Sequence, residues 1–327
     1  MIPAAGLAFA SLGAILAFNR GGVFIHGMTD ARLVCMVAGI LPAAHFHKWR
    51  DSKFMFPVVA YGLCMVPALF VTRSWQISLF GHPGVYSGSV LTFLLCAMGL
   101  LIAEQLEEGR DLVRNTILAA GSATVLVCLA QRAVGFDPFR IGTFDGRAVG
   151  FLGSPIDIGA LLVVLLTFAP LGLPIYAAGL WAAASRGAWV AALVALTPRR
   201  FRVAAFVLAT VVGISCMYLR PTNSDAGRVL IWNNAPLSLM GSGPATFNLT
   251  FPRGIFVPSE GILNPAHAHN SVIDTLSTKG VFGLMGLLAL LWAPELAGLW
   301  TICMFNPVSF EVTFIACVLA GLSRSPK

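Results

Sequence analysis

The sequence predicts an all-α, polytopic bundle of membrane-crossing helices, about eleven of them, with one large polar loop on the outer side. Three observations carry this. Hydrophobic residues make up 57% of the 327-residue chain and charged residues only 11%, less than half of the ~25% charged residues of a soluble domain. Apolar stretches near the ~20 residues that cross a hydrocarbon layer recur from end to end, with no linker or low-complexity run between them. Residues 1–327 therefore read as a single integral membrane domain. Polar residues, by contrast, collect in short loops and in one long segment, 220–280.

Taken in order, the first apolar run spans 2–18. A signal-peptide reading competes because the run contains small residues, but no basic region precedes it, so it reads as a first span. Further spans fit 31–46, 54–72, 84–105, 113–131 and 156–172. The next apolar run, 173–196, is interrupted by Ser185 and Arg186, which are too polar to lie in lipid unsupported. Two short helices meeting there are expected. The remaining spans fit 203–219, 281–303 and 308–322, leaving the tail 323–327 on the outer side.

Basic clusters at Lys48, Arg50 and Lys53, at Arg110 and Arg114, and at Arg199, Arg200 and Arg202 occupy short loops that alternate correctly for one face, assigned to the cytoplasm. More basic residues lie on the other side, Arg20, Arg32, Arg73, Arg132, Arg140, Arg147, Arg186, Arg220, Arg228, Arg253 and Lys279, but they are dispersed and nearly all arginine. A planar fork of donors suits phosphate, so this surplus points to an anionic ligand outside. The net charge of +7 fits anionic lipid facing the cytoplasmic clusters and does not suggest nucleic acid. The seven cysteines, Cys35, Cys64, Cys96, Cys128, Cys216, Cys303 and Cys317, all fall in apolar runs without zinc spacing and read as packing residues.

Four stretches carry candidate chemistry. The first, His267-Ala268-His269-Asn270-Ser271, leads to Asp274 and on to Gly280 and Gly283. Asn270 or Ser271 can cap a short helix ending at Gly280, which puts His269 at the positive helix end, where a neutral imidazole able to take a proton is favoured. A loop histidine bonded only to its surroundings competes with this, and more strongly so for His267. The second stretch is Ser185-Arg186-Gly187. An arginine at membrane depth faces a cavity or a partner, or else snorkels from a helix end. The third, Gly227-Arg228 through Trp232 and on to Gly241-Ser242-Gly243, sets Arg228 beside a glycine that lets backbone approach a ligand; a solvated surface arginine fits equally. Its later glycines lack the lysine and strand of a phosphate loop. The fourth, Gly146-Arg147 through Gly150 to Pro155, implies tight backbone, with Arg147 as a phosphate contact or an interface anchor.

In this order the four stretches resemble the O-antigen ligase and polymerase superfamily of bacterial membrane glycosyltransferases, over residues 140–285. The most specific part is the pattern met by His269, Asn270, Ile273, Gly280 and Gly283 without a gap. The resemblance implies a GT-C-type helical protein of the bacterial inner membrane, with its site on the periplasmic face. It would take a glycan from an undecaprenyl diphosphate carrier to an acceptor hydroxyl on a glycan or on lipid A core. By the same resemblance His269 is the essential histidine, Arg186 and Arg228 contact the diphosphate, and Arg147, Asn270 and His267 contribute to substrate binding. Ile156 and Asp157 follow the proline where the family commonly has Asn, and no large C-terminal region like that of protein-glycosylating relatives is expected, which ranks transfer to glycan or lipid A core above transfer to protein.

The expected reaction is inverting displacement of undecaprenyl diphosphate, with His269 as base and the arginines stabilising the leaving group. Diphosphate leaves readily and no Asp-x-Asp pair occurs in the outer loops, so no metal or other cofactor is expected. A transporter of an anion or small metabolite is the competing class, since broken helices and intramembrane arginine also mark substrate paths.

Overall fold

The computed structural model describes residues 1–17, 26–45, 52–81, 88–137, 143–144, 146–219, 223–257, 265, 267–290, 297–304 and 308–323. Lys48 and Arg50 of the first basic cluster, Arg20, Arg140 and Arg220 among the dispersed arginines, and 324–327 of the tail lie outside the described residues. The described chain is mostly helical: α1 Ile2–Leu16, α2 His26–His45, α3 Met55–Phe70, α4 Trp75–Phe80, α5 Val90–Glu104, α6 Arg110–Val134, α7 Pro155–Phe168, α8 Leu173–Ala183, α9 Arg186–Leu196, α10 Arg202–Leu219, α11 Asn223–Asn233, α12 Phe247–Thr250, α13 Ser271–Leu290, α14 Ala297–Cys303 and α15 Phe310–Ser323. Two short strands, β1 Thr143–Phe144 and β2 Arg147–Ala148, pair antiparallel between α6 and α7.

Helices stand where the apolar runs predicted them, but most are shorter. Among the described residues two stretches are long and apolar enough to cross a membrane, Arg110–Val134 (25 residues) and Arg199–Leu219 (21 residues), while seven shorter apolar helices have 10–17 residues. At 1.5 Å per residue, 15 residues reach about 22 Å, short of the ~30 Å hydrocarbon layer. Helix length alone therefore does not establish eleven crossings. The shortening has local causes that an apolar window overlooks. Thr92 N–H donates to Ser89 Oγ at 3.3 Å, so α5 starts at Val90 rather than at 84. Asp157 N–H donates to Ser154 Oγ at 3.4 Å with Pro155 at the first helical position, the usual start signals. The single span expected over 281–303 is instead the second half of α13 and then α14, with 291–296 outside the described residues.

The break predicted in 173–196 is present. Ala184 adopts φ 47°, closing α8, and Ser185 leads into α9, whose first residue is Arg186. A left-handed backbone costs a non-glycine residue roughly 1–2 kcal/mol, and Ala184 is exposed, so little methyl packing offsets this. Ala184→Gly is expected to raise stability by roughly 1 kcal/mol, seen as a higher thermal midpoint in detergent; a lower midpoint would show that chain entropy outweighs the strain.

The main core joins α1, α2, α6, α7, α9 and α15 around fully buried Leu7, Ile40, Ile117, Leu161, Leu162 and Phe314. Within it Arg32 of α2 lies 3.5 Å from Glu311 of α15, both nearly inaccessible, and donates from Nε to the Ala17 carbonyl at 2.9 Å and from Nη2 to the Phe151 carbonyl. Two close helix pairs flank the rest. A Cβ at Gly321 would lie 2.4 Å from the Leu100 carbonyl oxygen, so only glycine lets α15 run this near α5. At Gly286 a Cβ would lie 2.6 Å from Tyr61 Cδ2, which sets α13 against α3. The segment 220–280, expected as a loop, is folded where described: α11, α12 and the start of α13 enclose Ile231, Phe247, Phe251, Val257 and Ala268.

Candidate functional site

Between the α3/α13 and α5/α15 pairs runs a cavity of about 700 Å³. Its walls are apolar along Ala97, Leu100, Ala316 and Ala320, and one end is polar, bounded by Ser89, His267, His269, Asn270, Asp274 and Lys279. The distance along α5 from Ser89 to Leu100 is about 17 Å at helical rise.

Backbone and side-chain bonds together hold the histidine loop at the polar end. Trp232 of α11 donates its indole N–H to the Ala268 carbonyl at 2.7 Å, and Ala268 N–H donates to Asp274 Oδ1 at 3.1 Å. The Asn270 side chain accepts from the N–H groups of Val272 (2.9 Å) and Ile273 (3.1 Å), the N-cap anticipated from the sequence. Its Nδ2 donates to the Met304 carbonyl at 2.9 Å, and Ser271 Oγ donates to the Cys303 carbonyl at 3.0 Å, so the start of α13 is also tied to the end of α14. His269 lies in the left-handed region at φ 55°, a conformation in which histidine is enriched several-fold over most residues. Asn270, expected to bind substrate, is thus spent on structure as well as lining the cavity. A carboxylate stands near His267, whose Nδ1 lies 3.9 Å from Asp274 Oδ1.

Farther along, α13 kinks. Gly280 has φ 70° and ψ −165°, which ends the first helical stretch where the sequence predicted. The carbonyl of Thr278 accepts N–H groups from Ser242 (3.1 Å) and Gly243 (2.9 Å), and Val281 N–H donates to the Leu239 carbonyl at 2.9 Å. The Gly241-Ser242-Gly243 stretch therefore clamps the kink. Just before it, Lys279 Nζ donates to Tyr61 Oη at 3.1 Å.

The two arginines meet at one acid. Arg186 Nη2 lies 3.8 Å from Asp225 Oδ2 and Arg228 Nη1 lies 3.5 Å from Asp225 Oδ1. Neither lines the cavity. They approach the histidine loop through α11, which carries Arg228 and, four residues or about 6 Å later along the axis, the Trp232 that holds Ala268. Arg147 sits apart in β2, opposite Phe144. That corner is a clamp: Val149 and Gly150 N–H groups donate to Gln131 Oε1 at 3.1 and 3.0 Å, and Arg132 donates to the Gly146 carbonyl at 2.6 Å. Its glycines answer to backbone geometry, with φ 69° at Gly146 and 49° at Gly150.

The sequence reading assigned no role to Asp225, Asp274, Tyr61 or Lys279. Asp274 had a local signal, an acid in the first turn of a capped helix. Tyr61 had none, because it joins the site from 218 residues away.

Compared with protein-family models, with curated proteins and with solved structures, the chain matches none of them.

Proposed function

We propose that the protein is a multi-spanning glycosyltransferase of the bacterial inner membrane that moves a glycan from undecaprenyl diphosphate to an acceptor hydroxyl of a glycan or lipid A core on the periplasmic face. The observation that carries this reading is the cavity itself: a long apolar groove whose polar end is closed by a helix-capped histidine loop, a shape suited to an amphiphile with a reacting head. The bilayer setting is supported by α10, which turns Val203, Val207, Leu208, Val211 and Val212 outward; such an apolar surface calls for lipid or a partner.

In this reaction the acceptor oxygen attacks the anomeric carbon as the bond to the diphosphate oxygen breaks, with inversion. The acceptor proton passes to His269, and the leaving diphosphate keeps the electron pair. Arg186 and Arg228, held side by side by Asp225, supply positive charge to the negative charge that develops on the leaving diphosphate. No metal is required for that step.

Purified protein or membranes, given a lipid-linked glycan and an acceptor in the presence of a chelator, are expected to transfer sugar. Uptake of an anion into liposomes with no transfer would replace this reading with a carrier. In the same assay Asp225→Asn is expected to lower transfer about 10- to 100-fold, the scale of a misplaced positioning group, with normal amounts of inserted protein. Wild-type transfer by that variant would remove the arginine pair from the mechanism.

A further inference from the structure

Lys279 has no part in the scheme above, yet it is the cation that faces the groove from α13. The residue is 7% exposed. Among the described residues its ammonium forms no ion pair; it donates to Tyr61 Oη and stands 5.7 Å from the centre of that ring. Tyr61 is buried too and is braced edge-on by Phe93, ring centres 5.2 Å apart. The nearest acid on its own helix, Asp274, already accepts the Ala268 N–H and lies beside His267. A cation withdrawn from water costs several kcal/mol unless compensated, and a lysine that served only to anchor a helix would turn its head to the surface.

Here the opposite has been built. The Gly280 kink and the clamp from Ser242 and Gly243 fix the turn that carries Lys279, which along α13 is the last polar residue of the cavity lining, followed by Leu287. A point charge of this kind suits a phosphate oxygen, and the apolar run beyond it, about 10 Å along α5 from Phe93 to Leu100, suits a hydrocarbon chain. Arg186 and Arg228 lie outside the lining, and the other lysine of the lining, Lys53, stands at the far end, where its N–H donates to Glu104 at the end of α5, so the phosphate contact at the polar end of the groove falls to Lys279.

We infer that Lys279, oriented by the Tyr61 hydroxyl, binds the diphosphate of a polyprenyl lipid whose chain lies along α5 and α15. The identity of the occupant rests on the proposed function; the placement of the anion rests on the groove alone.

The test is lipid binding by the intact protein in neutral detergent, read by native mass spectrometry with undecaprenyl diphosphate, phosphatidylglycerol and inorganic diphosphate as separate probes. Undecaprenyl diphosphate is expected to bind the wild type and Lys279→Arg alike. It should bind Lys279→Gln at least about tenfold more weakly, the scale of one charge-assisted hydrogen bond, and Tyr61→Phe a few-fold more weakly. Equal binding by Lys279→Gln and the wild type overturns the inference. If Lys279→Gln does not elute as a folded species, Tyr61→Phe decides, since it removes one oxygen from a packed ring and unchanged binding overturns the positioning. Tighter, equally Lys279-dependent binding of phosphatidylglycerol overturns the occupant, and binding of inorganic diphosphate as tight as that of the lipid overturns the role of the groove. Lys279-dependent lipid binding in a protein that transfers no glycan leaves this inference standing and removes the proposed function instead.

Discussion

Transfer by His269→Ala is expected to fall about 10²- to 10⁴-fold, the usual contribution of a general base, with no loss of inserted protein. The expectation of intact folding comes from how the loop is held. Its anchors include the Ala268 backbone, gripped by Trp232 and Asp274, and the Asn270 cap, and all of these remain in His269→Ala. His269→Asn sharpens the test, because asparagine also tolerates the left-handed backbone at φ 55° while supplying no base. It should be as inactive as alanine and at least as stable. His267→Ala is the necessary companion, since Asp274 stands beside that imidazole. A loss confined to His267→Ala, with His269→Ala near wild type, would move the base to the His267–Asp274 pair.

Gly280→Ala is expected to abolish accumulation of folded protein, or to leave a fraction with a much lower thermal midpoint. At φ 70° and ψ −165° the backbone occupies a region open essentially to glycine alone, and strain of this type costs about 1–3 kcal/mol before any clash. The clash is severe as well: a Cβ would lie 2.3 Å from the Leu239 carbonyl oxygen, 2.5 Å from Met240 C and 2.6 Å from Gly241 N. Relief requires α13 to straighten, which breaks the bonds that Ser242 and Gly243 make to the Thr278 carbonyl and carries Lys279 away from Tyr61. Monodisperse elution and melting of Gly280→Ala in detergent measure this. Wild-type behaviour in both would mean that the helix runs straight through residue 280.

These two residues also show what could be read from the chain beforehand. The cap at Asn270, the stop at Gly280 and the break at Ser185 follow from residue types obeying local rules, and all three stand where those rules put them. Span lengths did not follow, because an apolar window counts residues such as Gly88 and Ser89 that lie before the first helical turn of α5. The folded core of segment 220–280 was hidden because Ile231, Phe247, Phe251 and Val257 are too widely spaced to form one periodic element. At the site, the meeting of Arg186 and Arg228 was expected only from family resemblance, and nothing in the sequence marked Asp225 as the acid between them. The Lys279–Tyr61 contact is tertiary in origin, a product of α13 packing on α3.

The Arg32–Glu311 pair bears on how such a chain is assembled. The two residues are 279 positions apart, so during synthesis the second helix is made long before its counterion exists. Left alone in hydrocarbon, that guanidinium would be strongly disfavoured. On the proposed membrane reading, α2 is expected to linger at the interface or beside the insertion machinery until α15 is made, and the N-terminal region to lock into place last although it is made first.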